Sequence, residues 1–258
     1  MYKRQPEGTD RERILAIGSF GSGKTKAWLD IAWWSQKTKS TSQFYVLDTD
    51  AAVRRMLSGT KYGDLVNVHL YEVFEWEEYK RALADIISKA TPEDWTVIDF
   101  IGTSWEAVVE WYIDEVFAQD YDEYFMTVRK GMKTTGSGKD TGGLKGWEDW
   151  QFINKSHRKF MNDLVHKCPT HKFFTAVAVP IGESADKALK ATFGAFGVKP
   201  KGQKHLAHQV HTALLLQTMR AGEWYLNSIK DRERELHEGT ELKDFVRDYL
   251  IPTAGWML

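Results

Sequence analysis

The 258-residue sequence holds one cysteine, Cys168, which excludes an internal disulfide and a cysteine-based zinc site. No apolar run reaches the roughly 18 residues that a bilayer span requires. The opening MYKRQPEGTDRER is charged and carries no apolar core of a secretory signal. No sign of charge dominates either: 35 Lys and Arg stand against 36 Asp and Glu, a formal net charge of −1. That balance argues against a protein basic all over, while local patches can still meet nucleic acid. No repeat of fixed period is present. Together these absences predict a cytoplasmic protein with no membrane partner.

What the sequence does have is enough apolar material, 42%, to bury a sizeable core. The eleven tryptophans mostly sit at helical spacing beside other apolar residues, which predicts core packing. RILAI (13–17), QFYVLDTD (43–50), LVNVHLYEV (65–73), WTVIDF (95–100) and KFFTAVAV (172–179) read as strands. Helical periodicity covers 24–37, 75–90, 104–119 and 147–167, with a weaker helix over 241–250. HTALLLQTM (211–219) and EWYLNSIKD (223–231) flank RAG as a β-hairpin. Two long stretches, 129–146 and 181–207, lack periodicity and read as loops. Strands alternating with helices predict an α/β fold with a mostly parallel central sheet flanked by helices and a C-terminal β-hairpin. The expected organisation is a polar tail (1–12), a single domain (13–240) and a C-terminal helix or tail (241–258).

The run GSFGSGKT follows the first strand and opens the first helix. Its Gly18, Gly23, Lys24 and Thr25 meet the spacing G-x-x-x-x-G-K-[ST] of a phosphate-binding loop. Glycine lets successive N–H groups of Gly18, Ser19, Gly21, Ser22 and Gly23 converge into an anion nest, to which the helix adds its positive end. Lys24 is expected to reach the terminal phosphates of ATP, and Thr25 to hold Mg2+. The metal needs a second anchor, and Asp99, ending the apolar run TVID, is the candidate. Asp50, two positions beyond Asp48, is the candidate general base; the competing reading is that one of these acids caps a helix starting near Ala51.

Over roughly residues 12–235 these features resemble the RecA/RadA class of P-loop ATPases. In that class the water-activating acid ends the strand after the P-loop helix, and FYVLDTDAA is similar to that segment, with Asp50 where larger members usually carry Glu. SIKDRER resembles a K-x-R element near the end of the RecA-like core. There, cations at the positions of Lys230 and Arg232 reach the γ-phosphate of a neighbouring subunit. The alternative for this charged run is a solvated strand end. FFTAVAVP ends without the Gln, Ser or Thr often used as a phosphate sensor, leaving Thr175 inside the strand. The compact size is similar to small phage-encoded RecA-like ATPases, some of which anneal single-stranded DNA. The resemblance implies a RecA-like core, ATP with Mg2+, a homo-oligomer (ring or filament), and the host cytoplasm if the source is viral.

The two irregular stretches lie where that family keeps its DNA-binding loops. The first holds Arg129, Lys130, Lys133, Lys139 and Lys145; the second holds Lys187, Lys190, Lys199, Lys201 and Lys204. Cations on glycine-rich backbone suit a polyphosphate strand, and Phe193 and Phe196 are expected to stack on bases. Solvated loops, or lids over a small substrate, are the alternatives. The leading expectation is thus an ATP-hydrolysing protein acting on single-stranded DNA in recombination or annealing. The rivals are a nucleotide or nucleoside kinase and a nucleotide-clamped DNA-binding module with little turnover. A small GTPase is disfavoured because no N-K-x-D motif occurs.

Overall fold

The computed structural model describes residues 11–59, 61–135, 146–183, 185, 187–203, 206–220, 222–231 and 239–254. In chain order the first elements are β1 (Arg13–Gly18), α1 (Lys24–Lys37), β2 (Phe44–Asp48), α2 (Val53–Leu57), β3 (Val68–Glu72), α3 (Trp76–Lys89) and β4 (Trp95–Asp99). Then come α4 (Gly102–Phe117), α5 (Tyr121–Thr135), α6 (Gly146–Asn162), β5 (His171–Pro180), α7 (Lys187–Phe193) and β6 (Val198–Pro200). The hairpin β7 (Thr212–Arg220) and β8 (Glu223–Asp231), the short β9 (Thr240–Glu241) and α8 (Ile251–Ala254) complete the described strands and α-helices.

The strands form one mixed, mostly parallel sheet in the order β3-β2-β4-β5-β1-β7-β8-β9, with β6 pairing antiparallel to β5. From β3 to β7 every neighbouring pair along that order is parallel; β7, β8 and β9 then alternate in direction. Strands of such a sheet are covered on both faces, which is why β1, β2 and β4 read as unbroken apolar runs. Alternate residues divide between two cores. Leu15, Ile17, Leu47, Ile98 and Phe174 face the layer of α3, α4 and α6. Ile14, Ala16, Val46, Val97 and Phe173 face α1 and the segment around Phe245 and Tyr249.

The second layer is fastened by one buried carboxylate. Asp30 of α1, 0% exposed, accepts from Lys26 (2.6 Å), Lys61 (2.5 Å), Tyr62 Oη (2.6 Å) and the Phe245 amide (3.3 Å). It thereby ties the C-terminal segment to the helix that follows the glycine run. A buried acid with four donors is tolerable where an unpaired one is not.

Three stretches differ from the sequence expectation. The segment read as a loop from 129 begins inside α5, whose buried side chains Tyr124 and Val128 pack on the α3–α4–α6 layer. The second stretch contains α7, a 3-10 turn (Gly194–Phe196) and β6. The weak helix expected over 241–250 starts later than expected: β9 comes first, a π-helix spans Val246–Leu250 and α8 continues it, with Asp248 accepting from the amides of Lys243 and Asp244 at 2.7 Å. No helix among the described residues is long and apolar enough to cross a membrane.

Candidate nucleotide site

Because β1, β2, β4 and β5 run parallel, their carboxyl ends lie along one edge of the sheet, where ligands of open α/β sheets gather. β1 delivers Gly18 to this edge, and the chain turns through 19–23 into α1. The turn demands glycine. A Cβ on Gly18 would lie 2.2 Å from Ser22 Oγ and 2.6 Å from the Leu216 carbonyl oxygen. Gly21 and Gly23 have φ of +73° and +89°, the left-handed region that side chains rarely adopt. The first amides of α1 have no intrahelical acceptor and face the same space with the positive end of the helix.

Lys24 stands at the head of α1 and is 5% exposed. Its ammonium donates to the carbonyls of Gly18 (3.0 Å) and Ser19 (2.8 Å) and lies 5.5 Å from the centre of the Phe100 ring. Burial pushes its pKa down, opposed by the charges of Asp99 and Asp50. A partly desolvated cation held by carbonyls is primed for a polyanion.

Next to it, Thr25 Oγ1 donates to Asp99 Oδ2 at 2.9 Å, and Trp28 Nε1 approaches the same oxygen at 3.4 Å. Thr175 of β5 donates to the other oxygen of Asp99 and accepts from the Phe100 amide at 2.7 Å. Thr49 Oγ1 donates to the Asp99 carbonyl at 2.6 Å. Burial raises the pKa of Asp99, while its bonds from Thr175, Thr25 and Trp28 lower it. A hydroxyl and a carboxylate adjoining an anion nest form a hard-oxygen pair suited to Mg2+, which takes its remaining ligands from phosphates and water. The described residues contain no cluster of three acidic, His or Cys ligands. Ser22 Oγ, buried and without a hydrogen-bond partner, is a further polar group at the loop.

Asp48 sits opposite Asp99 in the β2–β4 register. It is 0% exposed, accepts from the Val53 amide at 3.3 Å through Oδ2, and leaves Oδ1 without a partner. Burial first, then the charge of Asp50, push its pKa up to about 6. An acid whose folded pKa is raised holds its proton more tightly when folded, so stability falls as pH rises from about 4 to about 6. Asp48→Asn removes that penalty while keeping an acceptor for Val53. Its melting temperature should exceed the parent's by a few degrees at pH 8, with no gain at pH 4. Thermal denaturation without magnesium checks this, and an equal gain at both pH values would refute the burial account.

Asp50 lies beyond the end of β2 and is exposed. Ala51, at φ +57°, turns the chain, and Asp50 Oδ1 accepts from the Ala52 amide at 3.1 Å. Its charge nonetheless acts on Lys24, Asp48 and Asp99 alike. The hydrogen bond to Val53, in the first turn of α2, is made by Asp48 and not by Asp50.

The remaining candidates are dispersed. Lys230 of β8 donates to the carbonyls of Ala207 and Val210, each at 2.7 Å, so its ammonium is engaged within its own chain. Arg232, Lys139, Lys145 and Lys204 lie outside the described residues. Arg129, Lys130 and Lys133 belong to α5 and not to a loop. Lys187 and Lys190 are exposed on α7, Lys190 donating to the Glu183 carbonyl at 2.6 Å. Lys199 is half-buried on β6, and exposed Lys201 pairs with Glu106 of α4 at 2.7 Å. The two phenylalanines expected to stack on bases do not offer free rings: Phe193 is 3% exposed in the core, and Phe196 is half-buried against it.

One backbone contact joins this basic segment to the acid layer. Gly102, three residues past Asp99, meets Gly202 so closely that a Cβ on Gly202 would lie 3.0 Å from Gly102 Cα. Lys201 is held there by its amide, which donates to the Val177 carbonyl of β5 at 2.8 Å. The bracing of Asp99 by Thr49, Trp28 and Thr175 was not foreseeable, because each partner comes from a different element. No protein-family model matches the chain, and no curated protein matches it in sequence.

Proposed function

We propose that this chain is a RecA-like P-loop ATPase that binds ATP with Mg2+ and acts on single-stranded DNA as a homo-oligomer, in recombination or annealing. The observation that carries the reading is the 2.9 Å contact between Thr25 Oγ1 and Asp99 Oδ2 beside the buried Lys24 ammonium. A phosphate nest, a cation and a hydroxyl–carboxylate pair then adjoin at one sheet edge, the set that phosphoryl transfer requires. Thr25 would hold the metal directly and Asp99 from its outer shell, and Mg2+ bound there would neutralise charge on the terminal phosphates.

Lys24 and the amides of Gly21, Ser22 and Gly23 hold the phosphate chain. Asp50 takes the proton of the water that attacks the γ-phosphorus, the bond to the β-phosphate oxygen breaks, and ADP and phosphate leave. With Lys230 engaged in its own chain, Arg232 is the cation proposed to reach the terminal phosphate of a neighbouring subunit. Support for a DNA partner comes from the exposed Lys187, Lys190 and Lys201 and the half-buried Lys199, on a segment that abuts Gly102 just past Asp99.

Phosphate release measured with and without single-stranded DNA tests the proposal: turnover stimulated by DNA is expected. Converting Lys187, Lys190, Lys199 and Lys201 to Gln should abolish the stimulation and lower the slope of log affinity against log salt by up to about 3, at roughly 0.7 for each phosphate that a lysine neutralises. Turnover only with a nucleoside acceptor would instead make the chain a kinase. Nucleotide binding without any turnover would make it a clamp.

A further inference from the structure

A nest turns its N–H groups inward, so its carbonyls point outward and need partners of their own. Lys24 serves Gly18 and Ser19. The carbonyl of Gly21 is served from the hairpin: Trp224 Nε1 of β8 donates to it at 3.2 Å and Thr218 Oγ1 of β7 at 3.3 Å. The register explains the reach. Gly18 is paired with Leu216, so Thr218, two residues on, stands beside the loop. Trp224 is paired with Thr218 across the hairpin, and its indole lies against Gly23, 3.5 Å from where a Cβ would be.

The described chain has no cis peptide bond, and in a trans peptide the C=O and N–H point in opposite directions. Drawing the Gly21 oxygen toward the hairpin therefore turns the Ser22 N–H into the loop, where it donates to the Ser19 carbonyl with N···O 3.3 Å. We propose that Trp224 and Thr218 are positioning residues for the phosphate loop: they fix the Gly21–Ser22 peptide before nucleotide arrives so that its N–H faces the loop, where a phosphate oxygen takes the place of the Ser19 carbonyl as its acceptor. They touch no phosphate themselves. This deepens, and rests on, the nucleotide-binding reading.

The role separates from mere packing by single-group changes. Trp224→Phe keeps an aromatic ring against Gly23 and deletes the donor. Thr218→Val deletes the hydroxyl with little change of shape, and Thr218→Ser keeps it. Calorimetric titration with a non-hydrolysable ATP analogue and Mg2+ should show Kd raised about fivefold by Trp224→Phe and by Thr218→Val, and at least about twentyfold by both together. Thr218→Ser should bind like the parent. KM for ATP should rise with kcat at saturation unchanged, and the melting temperature without nucleotide should not move. Parental affinity in the double variant would overturn the proposal, as would an affinity loss matched by lost thermal stability. A parent protein that binds no ATP analogue would instead overturn the nucleotide reading itself.

Discussion

Nucleotide affinity is expected to fall at least about 100-fold when Lys24 is replaced by Ala, with the fold left standing. The charge of Lys24 has been taken largely out of water at the head of α1, and its hydrogen bonds run to the Gly18 and Ser19 carbonyls. Each charge-assisted bond to phosphate contributes roughly 1.5–3 kcal/mol, and an ammonium reaching two phosphate oxygens contributes twice that. The substitution takes the ammonium from the Gly18 and Ser19 carbonyls, a cost to the apo protein that two gains offset. Ala is a better helix former than Lys, and burying the ammonium is itself unfavourable, as its depressed pKa records. Titration with labelled ATP, alongside a melting curve without nucleotide, checks both halves. Affinity retained within tenfold of the parent would remove the phosphate loop from the account.

The parts of this site that are legible in the sequence are those made by neighbours along the chain. RILAI running into GSFGSGKT and on into an amphipathic helix is a local grammar, and β1, the turn and α1 follow it. TVID reads as a strand ending in an acid because both faces of β4 are buried up to Asp99. What escapes is whatever a distant partner decides. Strand alternation treats Asp48 and Asp50 as equivalent, yet β2 ends at Asp48, and the positive φ of Ala51 carries Asp50 out to solvent. Among the described side chains of α5, Tyr124 and Val128 are buried, and the lysines and glycines from 129 onward read in the sequence as loop. KALKATF is too short to nucleate a helix unaided, and it is anchored by the one ring, Phe193, that its lysine-rich surroundings disguise as a base-stacking group. The indole of Trp224 looks like one more core tryptophan until the β7–β8 register brings it against the glycine loop.

The same register makes Gly18→Ala a severely damaging methyl. The φ of Gly18 is not in the left-handed region, so the objection to a side chain is space and not backbone strain. The added carbon would meet the Leu216 carbonyl oxygen at 2.6 Å, inside a parallel β1–β7 ladder that cannot open without breaking its pairing, and Ser22 Oγ at 2.2 Å. Relief has to come from moving the loop away from β7, which pulls Gly21 off Thr218 and Trp224 and spreads the amides meant for phosphate. Overpacking of this kind costs roughly 1–3 kcal/mol and occasionally more, which lowers the melting temperature of a chain this size by about 2–12 °C. Nucleotide binding should be lost over and above that instability, since the nest and not only the core is deformed. Gly194→Ala is the matched control, because a Cβ at that position would find nothing within 4 Å and its φ is not positive. It should melt and bind like the parent. If Gly18→Ala melts and binds no differently from that control, the close approach of β1, β7 and the loop does not shape the site.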